Sequence, residues 1–190
     1  METVIENKRN KIHPHKFALW AAMASITMMF GAFTSAYLVK QAAGNWLEYS
    51  MPFPFYISTA VILLSSFTLH YSFTSFKAGN EKPYKYSLIL SLLLGLTFIV
   101  LQYMGWTALF VKGVDLKGNV SGSFFYLISG IHALHVLGGI AAMIVALIHA
   151  FTLRFYQNEF RVNRFDLVIN YWHFVDFLWV YLFIFLIISK

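Results

Sequence analysis

The sequence contains no cysteine, which excludes disulfide bonds, thiolate metal sites, iron–sulfur clusters and cysteine nucleophiles. It also has few charged residues: they make up 12% of the 190 residues, whereas soluble domains have about a quarter. Hydrophobic residues, in contrast, reach 59%. No GxSxG, P-loop, HExxH or dinucleotide-binding motif occurs. The composition therefore indicates an integral membrane protein and shows no catalytic signature of its own.

Five apolar stretches are long enough to cross a bilayer as helices, which takes about 20 residues each. They cover Phe17–Val39, Pro54–Phe76, Tyr86–Val111, Gly122–Phe151 and Val168–Ile188. We therefore expect an all-α polytopic membrane protein with five transmembrane helices in one bundle. Residues 1–190 would form a single integral-membrane domain, with a short tail at 1–16 and the bundle at 17–188. No small-residue cleavage site follows the first stretch, so we expect it to be an uncleaved anchor.

Lysine and arginine are distributed unevenly between the two sides of this predicted bundle. One side has ten of them: Lys8, Arg9, Lys11, Lys16, Lys77, Lys82, Lys85, Arg154, Arg161 and Arg164. The other has four: Lys40, Lys112, Lys117 and Lys190. Because loops rich in these residues stay in the cytoplasm, the N-terminus is predicted to be cytoplasmic and the C-terminus outside. The same asymmetry explains the net charge of +6, which is therefore no sign of nucleic-acid binding.

Polar side chains interrupt four of the apolar stretches. His70 lies in the second, Gln102 in the third, His132, His135 and His149 in the fourth, and His173 and Asp176 in the fifth. A charged group at the bilayer centre costs roughly 2.5–3.5 kcal/mol on insertion scales, so these side chains should face protein or water rather than lipid. We favour a structural interpretation in which they form hydrogen bonds across helices, where small residues allow close approach.

Two other interpretations stay open at this point. The chain could be an independent haem- or metal-binding redox protein, with His149 and His173 as axial ligands or with the two i,i+3 pairs as metal ligands. Asp176 could instead belong to the proton path of a small transporter. A metal site would usually need more carboxylates, and a proton path more titratable groups at matched depths.

Four stretches, in order along the chain, resemble subunit III of the haem–copper terminal oxidases. The most specific is YWHFVDFLWVYLF at 171–183, which is similar to the C-terminal helix of that family. SGIHALHVLGG at 129–139 resembles its paired-histidine helix, and LGLTFIVLQYMGW at 94–106 a helix that ends in glutamine and an aromatic pair. PFPFYISTAVILLSS at 52–66 is similar to the entry of its second helix. The five-helix length resembles the short bacterial form.

This resemblance implies a function that the residues alone do not. Subunit III carries no haem or copper, which belong to partner subunits of a proton-pumping oxidase that reduces O2 to water. It packs principally on subunit I, with subunit II and other respiratory chains as further partners. It also binds phospholipid in a cleft between its first two helices and the remaining bundle, and supports proton uptake and stability. The chain would thus be a non-catalytic part of this translocase in the bacterial inner membrane. Other subunits would determine whether the electron donor is cytochrome c or a quinol.

The resemblance also assigns expected roles to single residues. By motif match, the structural residues of the last two helices are His132, His135, Trp172, His173 and Asp176. Together with Gln102, we expect them to lock the helices to one another through polar contacts.

Two further expectations concern the basic rim and the first helix. The basic residues on the predicted cytoplasmic side are explained first by the topology, because cytoplasmic loops are rich in lysine and arginine. In a second interpretation, four of them are candidate contacts for phospholipid headgroups: Arg154, Arg161, Arg164 and Lys85.

The first helix of the family usually carries a Ser-Glu pair, and Ile26 occupies the glutamate position here. A role of that carboxylate therefore cannot be transferred to this chain.

Overall fold

The computed structural model describes residues 14–44, 46–116, 118–156 and 158–189. The five helices are α1 (Pro14–Ala42), α2 (Phe53–Lys77), α3 (Glu81–Val111), α4 (Val120–Thr152) and α5 (Glu159–Ile188). All are long and apolar enough to cross a membrane, and no strand occurs in those described ranges. This confirms the predicted all-α polytopic bundle. Residues 1–13, Lys117 and Lys190 lie outside the described residues, so most of the predicted tail and five of the counted cations (Lys8, Arg9, Lys11, Lys117 and Lys190) do too.

Helix boundaries follow local sequence signals. Pro52 immediately precedes α2, and Pro54 lies in its first turn, where a backbone N–H would have no partner within the helix and its absence costs little. At the start of α5, the Asn158 side chain accepts a hydrogen bond from the backbone N–H of Phe160 at 3.4 Å. This helix begins at Glu159, well before the apolar stretch predicted from Val168. Its first turns carry charged residues, which hydropathy alone assigns to a loop.

Helices α2 and α3 form an antiparallel hairpin whose facing surfaces alternate small or polar residues with large apolar ones. Their buried rows advance by steps of three and four residues: Phe55, Ser58, Ile62, Ser65, Leu69, Ser72 and Phe76 on α2, and Tyr84, Leu88, Ser91, Gly95, Phe98, Gln102, Gly105 and Leu109 on α3. This is the period of coiled-coil packing, and small residues let the backbones approach closely. Ser65 Oγ donates to the Ser91 carbonyl at 3.0 Å, and Ser72 Oγ to the Tyr84 carbonyl at 2.9 Å. Gly79, at φ 81°, allows the left-handed turn between the two helices.

Helix α5 occupies the centre of the bundle and packs on α1, α2 and α4. Its Trp172 and Trp179 are almost completely buried. The Trp172 indole lies in a notch between Gly139 on α4 and Gly95 on α3, where an added Cβ would lie 2.7 Å and 2.9 Å from the ring, respectively. Glycine at both positions is therefore what admits the large ring.

The other four helices surround α5 as an open ring in the order α1, α4, α3, α2. Among the described residues α1 packs on α4 and α5 but not on α2. At one end of α1, Lys16 pairs with Asp166 at 2.8 Å. At the other, Tyr37 Oη and Gln41 Nε2 each donate to the Ser189 carbonyl at 3.0 Å. The ring therefore has one gap, between α1 and α2, through which a strip of α5 is exposed.

Candidate functional site

His132 lies in an aromatic box at the centre of the bundle. Its ring is 4.9 Å from that of Trp179 on α5, 6.1 Å from that of Phe98 on α3 and 6.3 Å from that of Phe30 on α1, measured between centroids. The residue is fully buried, and neither ring nitrogen has a hydrogen-bond partner among the described residues. His132 thus joins four helices through ring packing rather than through the hydrogen bond that the sequence interpretation assumed.

His135, one turn further along α4, makes its polar contacts through the backbone. Its Nδ1 pairs with the Ile131 carbonyl of its own helix at 2.8 Å. Tyr171 on α5 donates its hydroxyl to the carbonyl of His135 at 3.1 Å. The α4–α5 bond at this position therefore uses the main chain of His135, and its imidazole adds a ring contact to Phe30 at 5.8 Å.

Gln102 contacts a neighbouring helix through a hydrogen bond, whereas Trp172 does so through packing of its ring. Gln102 Nε2 donates to Ser58 Oγ on α2 at 3.2 Å, within the hairpin. The other amide atom, Oε1, and Trp172 Nε1 are buried with no hydrogen-bond partner in the described part of the chain. Trp172 therefore acts through the shape of its ring, which fills the notch at Gly95 and Gly139.

His173 faces α2 rather than the histidines of α4. Its Nδ1 forms a hydrogen bond with Ser66 Oγ, and its ring lies 5.9 Å from that of His70. Further along α5, Trp179 Nε1 also donates a hydrogen bond to α2, to Thr59 Oγ1 at 2.9 Å. Polar contacts therefore tie α5 to α2 over almost two helical turns.

Asp176 is buried beside this cluster, with 3% of its surface exposed. Neither carboxyl oxygen has a hydrogen-bond partner of standard geometry in the described ranges. The residue shares one face of α5 with Trp172 and Trp179, so it belongs to the packed centre and not to the exposed strip.

A cavity of about 530 Å³ lies between the end of α4 and the start of α5. Its walls are mostly apolar, and its polar lining includes His149, Arg161 and Arg164, with no acidic residue among the described ones that line it. The Arg161 guanidinium donates to the Arg154 carbonyl at 2.8 Å, so Arg154 contributes its main chain here. Lys85 pairs with Glu81 at 2.6 Å and does not line the cavity. Two of the four predicted headgroup contacts, Arg161 and Arg164, therefore meet at one cavity.

No group of three or more histidine, cysteine, aspartate or glutamate side chains in the described ranges is arranged to hold a metal ion. His149 lines the α4–α5 cavity, whereas His173 is directed to Ser66 and His70 on α2. The structure therefore does not bring together the two histidines considered as axial haem ligands.

Comparison with known proteins identifies the family. The family model described as "Cytochrome c oxidase subunit III" matches residues 21–189, which is nearly all of the five-helix bundle. The chain belongs to the cytochrome c oxidase subunit III family. All six predicted helix-locking residues lie within the matched range.

Named members of the subunit III family show the same relationship. A protein of Nocardia farcinica named "Probable cytochrome c oxidase subunit 3" is 31% identical over 169 residues, covering 85% of this chain and 81% of the relative. A protein of the same name from Mycobacterium tuberculosis is 30% identical over 166 residues with the same coverage. "Cytochrome c oxidase subunit 3" of Oryctolagus cuniculus is 30% identical over 128 residues, 67% of this chain and 47% of the relative. Similarity to the subunit III family thus extends to longer members.

Several residues that organise the subunit III bundle were not singled out from the sequence. Trp179 could have been found, because it follows Trp172 and Asp176 by steps that keep all three on one face of a helix. Ser66 and Phe30 gave no comparable signal, since their roles depend on which helices are neighbours. Ile26 is half-buried and packs against the apolar core of the bundle.

Proposed function

We propose that this chain is the non-catalytic subunit III of a proton-pumping haem–copper terminal oxidase in a bacterial inner membrane. It packs principally on subunit I, beside subunit II, and supports proton uptake and stability while partner subunits carry the haems and copper. Its N-terminus lies in the cytoplasm and its C-terminus outside. The observation that carries this proposal is the family match over residues 21–189.

The internal geometry supports a structural rather than a chemical role for this chain. Four of the six residues expected to lock the helices contact other helices: Gln102 and His173 by hydrogen bonds to α2, and His132 and Trp172 by ring packing. Such packing fixes the register of transmembrane helices, which have no hydrophobic drive to associate in lipid. A rigid bundle of this kind can present constant surfaces to a catalytic partner.

Purification of the tagged chain from its native membrane tests this proposal. After extraction in mild detergent, a reduced-minus-oxidised spectrum and mass spectrometry of the co-purified chains should show haem bands together with a large subunit I partner. Stripping the partner should remove the haem. Haem that stays on the isolated chain, or a chain that purifies colourless and without partners, would contradict the proposal.

We further propose that the α4–α5 cavity holds an anionic phospholipid, with Arg161 and Arg164 at its headgroup. The apolar walls suit an acyl chain, and arginine pairs with phosphate through charge-assisted hydrogen bonds. Arg164 packs over the ring of Phe160, which also lines the cavity, at 4.1 Å.

Native mass spectrometry of the purified complex tests the lipid site. The double variant Arg161→Gln/Arg164→Gln should carry one anionic phospholipid fewer per complex than the wild type. Lys112→Gln is the matched control, because it also removes a cation but lies at the far end of α3. Equal lipid content in all three proteins would contradict the site.

A further inference from the structure

The gap in the helix ring exposes a polar and aromatic strip of α5. Asn170, His173, Phe177, Tyr181 and Ile184 follow one another by three or four positions, so they share one side of the helix. Phe177 is 75% exposed and Ile184 50% exposed, although α5 is otherwise the most central helix. Helices α1 and α2 contact only the two edges of this strip: Thr34 on α1 forms a hydrogen bond with Tyr181 at 3.2 Å, and Ser66 on α2 forms one with His173.

Helix α2 contributes the second wall of this surface. Its Phe67 is 73% exposed, and His70, one turn further along, is exposed beside the half-buried His173. Neither ring nitrogen of His70 forms a hydrogen bond within the described part of the chain. We call this surface, made of Phe67 and His70 on α2 and His173, Phe177 and Tyr181 on α5, the α2–α5 face.

The two histidines of the α2–α5 face lie about two helical turns inward from charged residues at the ends of their helices. His173 follows Asp166, which pairs with Lys16, by seven positions, or about 10 Å of helix. His70 precedes Lys77 by the same seven positions, again about 10 Å. An imidazole is short and rigid and cannot extend to the interface as a lysine side chain does.

Lipid tails are therefore an unfavourable environment for the histidines of this face. Lipid tails offer no hydrogen-bond partner, and polar side chains at this depth normally face protein. The exposed rings of Phe67 and Phe177 lie next to the histidines and can pack against a neighbouring helix. The combination of apolar contact surface and an unsatisfied polar group matches a helix–helix interface in the membrane.

We infer that the α2–α5 face docks a transmembrane helix of a partner oxidase subunit, and that this helix supplies a hydrogen-bonding side chain or carbonyl to His70. The inference rests on the proposed function, since it requires an oxidase partner in the same membrane. It goes further by assigning the contact to one face of the five-helix bundle and to one histidine.

Site-specific photo-crosslinking in the intact membrane complex tests which face is covered. The aromatic photoprobe p-benzoylphenylalanine replaces Phe67 or Phe177, and Tyr103, which is 64% exposed on α3, is the matched aromatic control. Both test positions should crosslink to a transmembrane segment of a partner subunit, and Tyr103 should not. The inference would be overturned if Phe67 and Phe177 gave lipid adducts without partner crosslinks. It would also be overturned if partner crosslinks came from Tyr103 alone. Neither result would affect the assignment of the chain as an oxidase subunit.

A His70→Leu variant tests the hydrogen bond itself. Loss of one hydrogen bond between membrane helices should make this chain dissociate from the detergent-purified complex roughly three- to eighteen-fold more readily. The control Tyr103→Leu should leave retention unchanged. Unchanged retention of His70→Leu would refute the role of His70, whereas failure of the wild-type chain to co-purify with any oxidase subunit would instead refute the proposed function.

Discussion

Replacing Gly139 with alanine should destabilise the bundle because it closes the notch that holds Trp172. The added Cβ would lie 2.7 Å from Trp172 Cε3 and 2.9 Å from Cζ3. The ring cannot retreat freely, since the opposite side of the notch is Gly95, where an added Cβ would also come within 2.9 Å of the indole. Overpacking of this kind costs about 1–3 kcal/mol.

The same substitution at Gly130 is a matched control for this prediction. Gly130 lies in α4 as well, and an added Cβ there would meet nothing within 4 Å. Both substitutions gain the same helix propensity, roughly 0.5–1 kcal/mol. This gain cancels in the comparison, so the free energy of unfolding of Gly139→Ala should be lower than that of Gly130→Ala by about 1–3 kcal/mol.

Denaturant titration of the purified chain in mixed detergent micelles, followed by tryptophan fluorescence, measures this difference. A Trp172→Phe background adds a second check, because phenylalanine lacks the two ring atoms that the new Cβ would approach. The penalty of Gly139→Ala should therefore shrink in that background. Equal stability of the Gly139→Ala and Gly130→Ala proteins would refute the notch as a determinant of α4–α5 packing.

Three further predictions follow from contacts at the edges of the bundle. Ser66→Ala removes the hydrogen bond to His173 and should lower the free energy of unfolding in micelles by roughly 0.6–1.7 kcal/mol; an unchanged value would show that the bond contributes nothing. Burial raises the pKa of the Tyr49 hydroxyl, so the folded state keeps it neutral and stability falls as the pH rises above the unfolded value of about 10. Tyr49→Phe should therefore lose less stability between about pH 9 and pH 11 than the wild type, and parallel loss in both proteins would contradict this assignment. The Lys16–Asp166 pair is partly exposed, so a double-mutant cycle with Lys16→Met and Asp166→Asn should give a coupling of about 0.2–1 kcal/mol that weakens with added salt; a coupling that salt leaves unchanged would show that it is not electrostatic.

The number and type of the helices could be predicted from sequence, because a run of apolar residues has few alternatives in a bilayer. The far ends of the third and fifth stretches coincide with the helix ends at Val111 and Ile188. The start of α5 was misplaced, since a helix that extends beyond the membrane carries charges there and its hydropathy is that of a loop. The orientation of the bundle stays a prediction from the charge distribution.

The partners of the polar residues were harder to predict than their presence. Periodicity places His173 and Trp179 on particular sides of α5, but it does not say which neighbour each side meets. His173 lies against α2 instead of the histidines of α4, and His132 lies among aromatic rings. These outcomes depend on the order of the helices around α5, which is a property of the whole chain. The serine row of α2 did carry a readable signal, because its seven-residue spacing at Ser58, Ser65 and Ser72 is regular.

The α2–α3 hairpin has a consequence for how the chain enters the membrane during synthesis. Each of these segments alone would expose a row of hydroxyl or amide groups to lipid, whereas pairing of the two segments buries those groups between them. Lateral release from the insertion machinery is therefore more favourable for the two segments together than for either one. The short turn at Gly79 lets them meet as soon as the second segment has emerged. A longer or stiffer connection at this turn would delay that meeting and leave α2 exposed to lipid before its partner arrives.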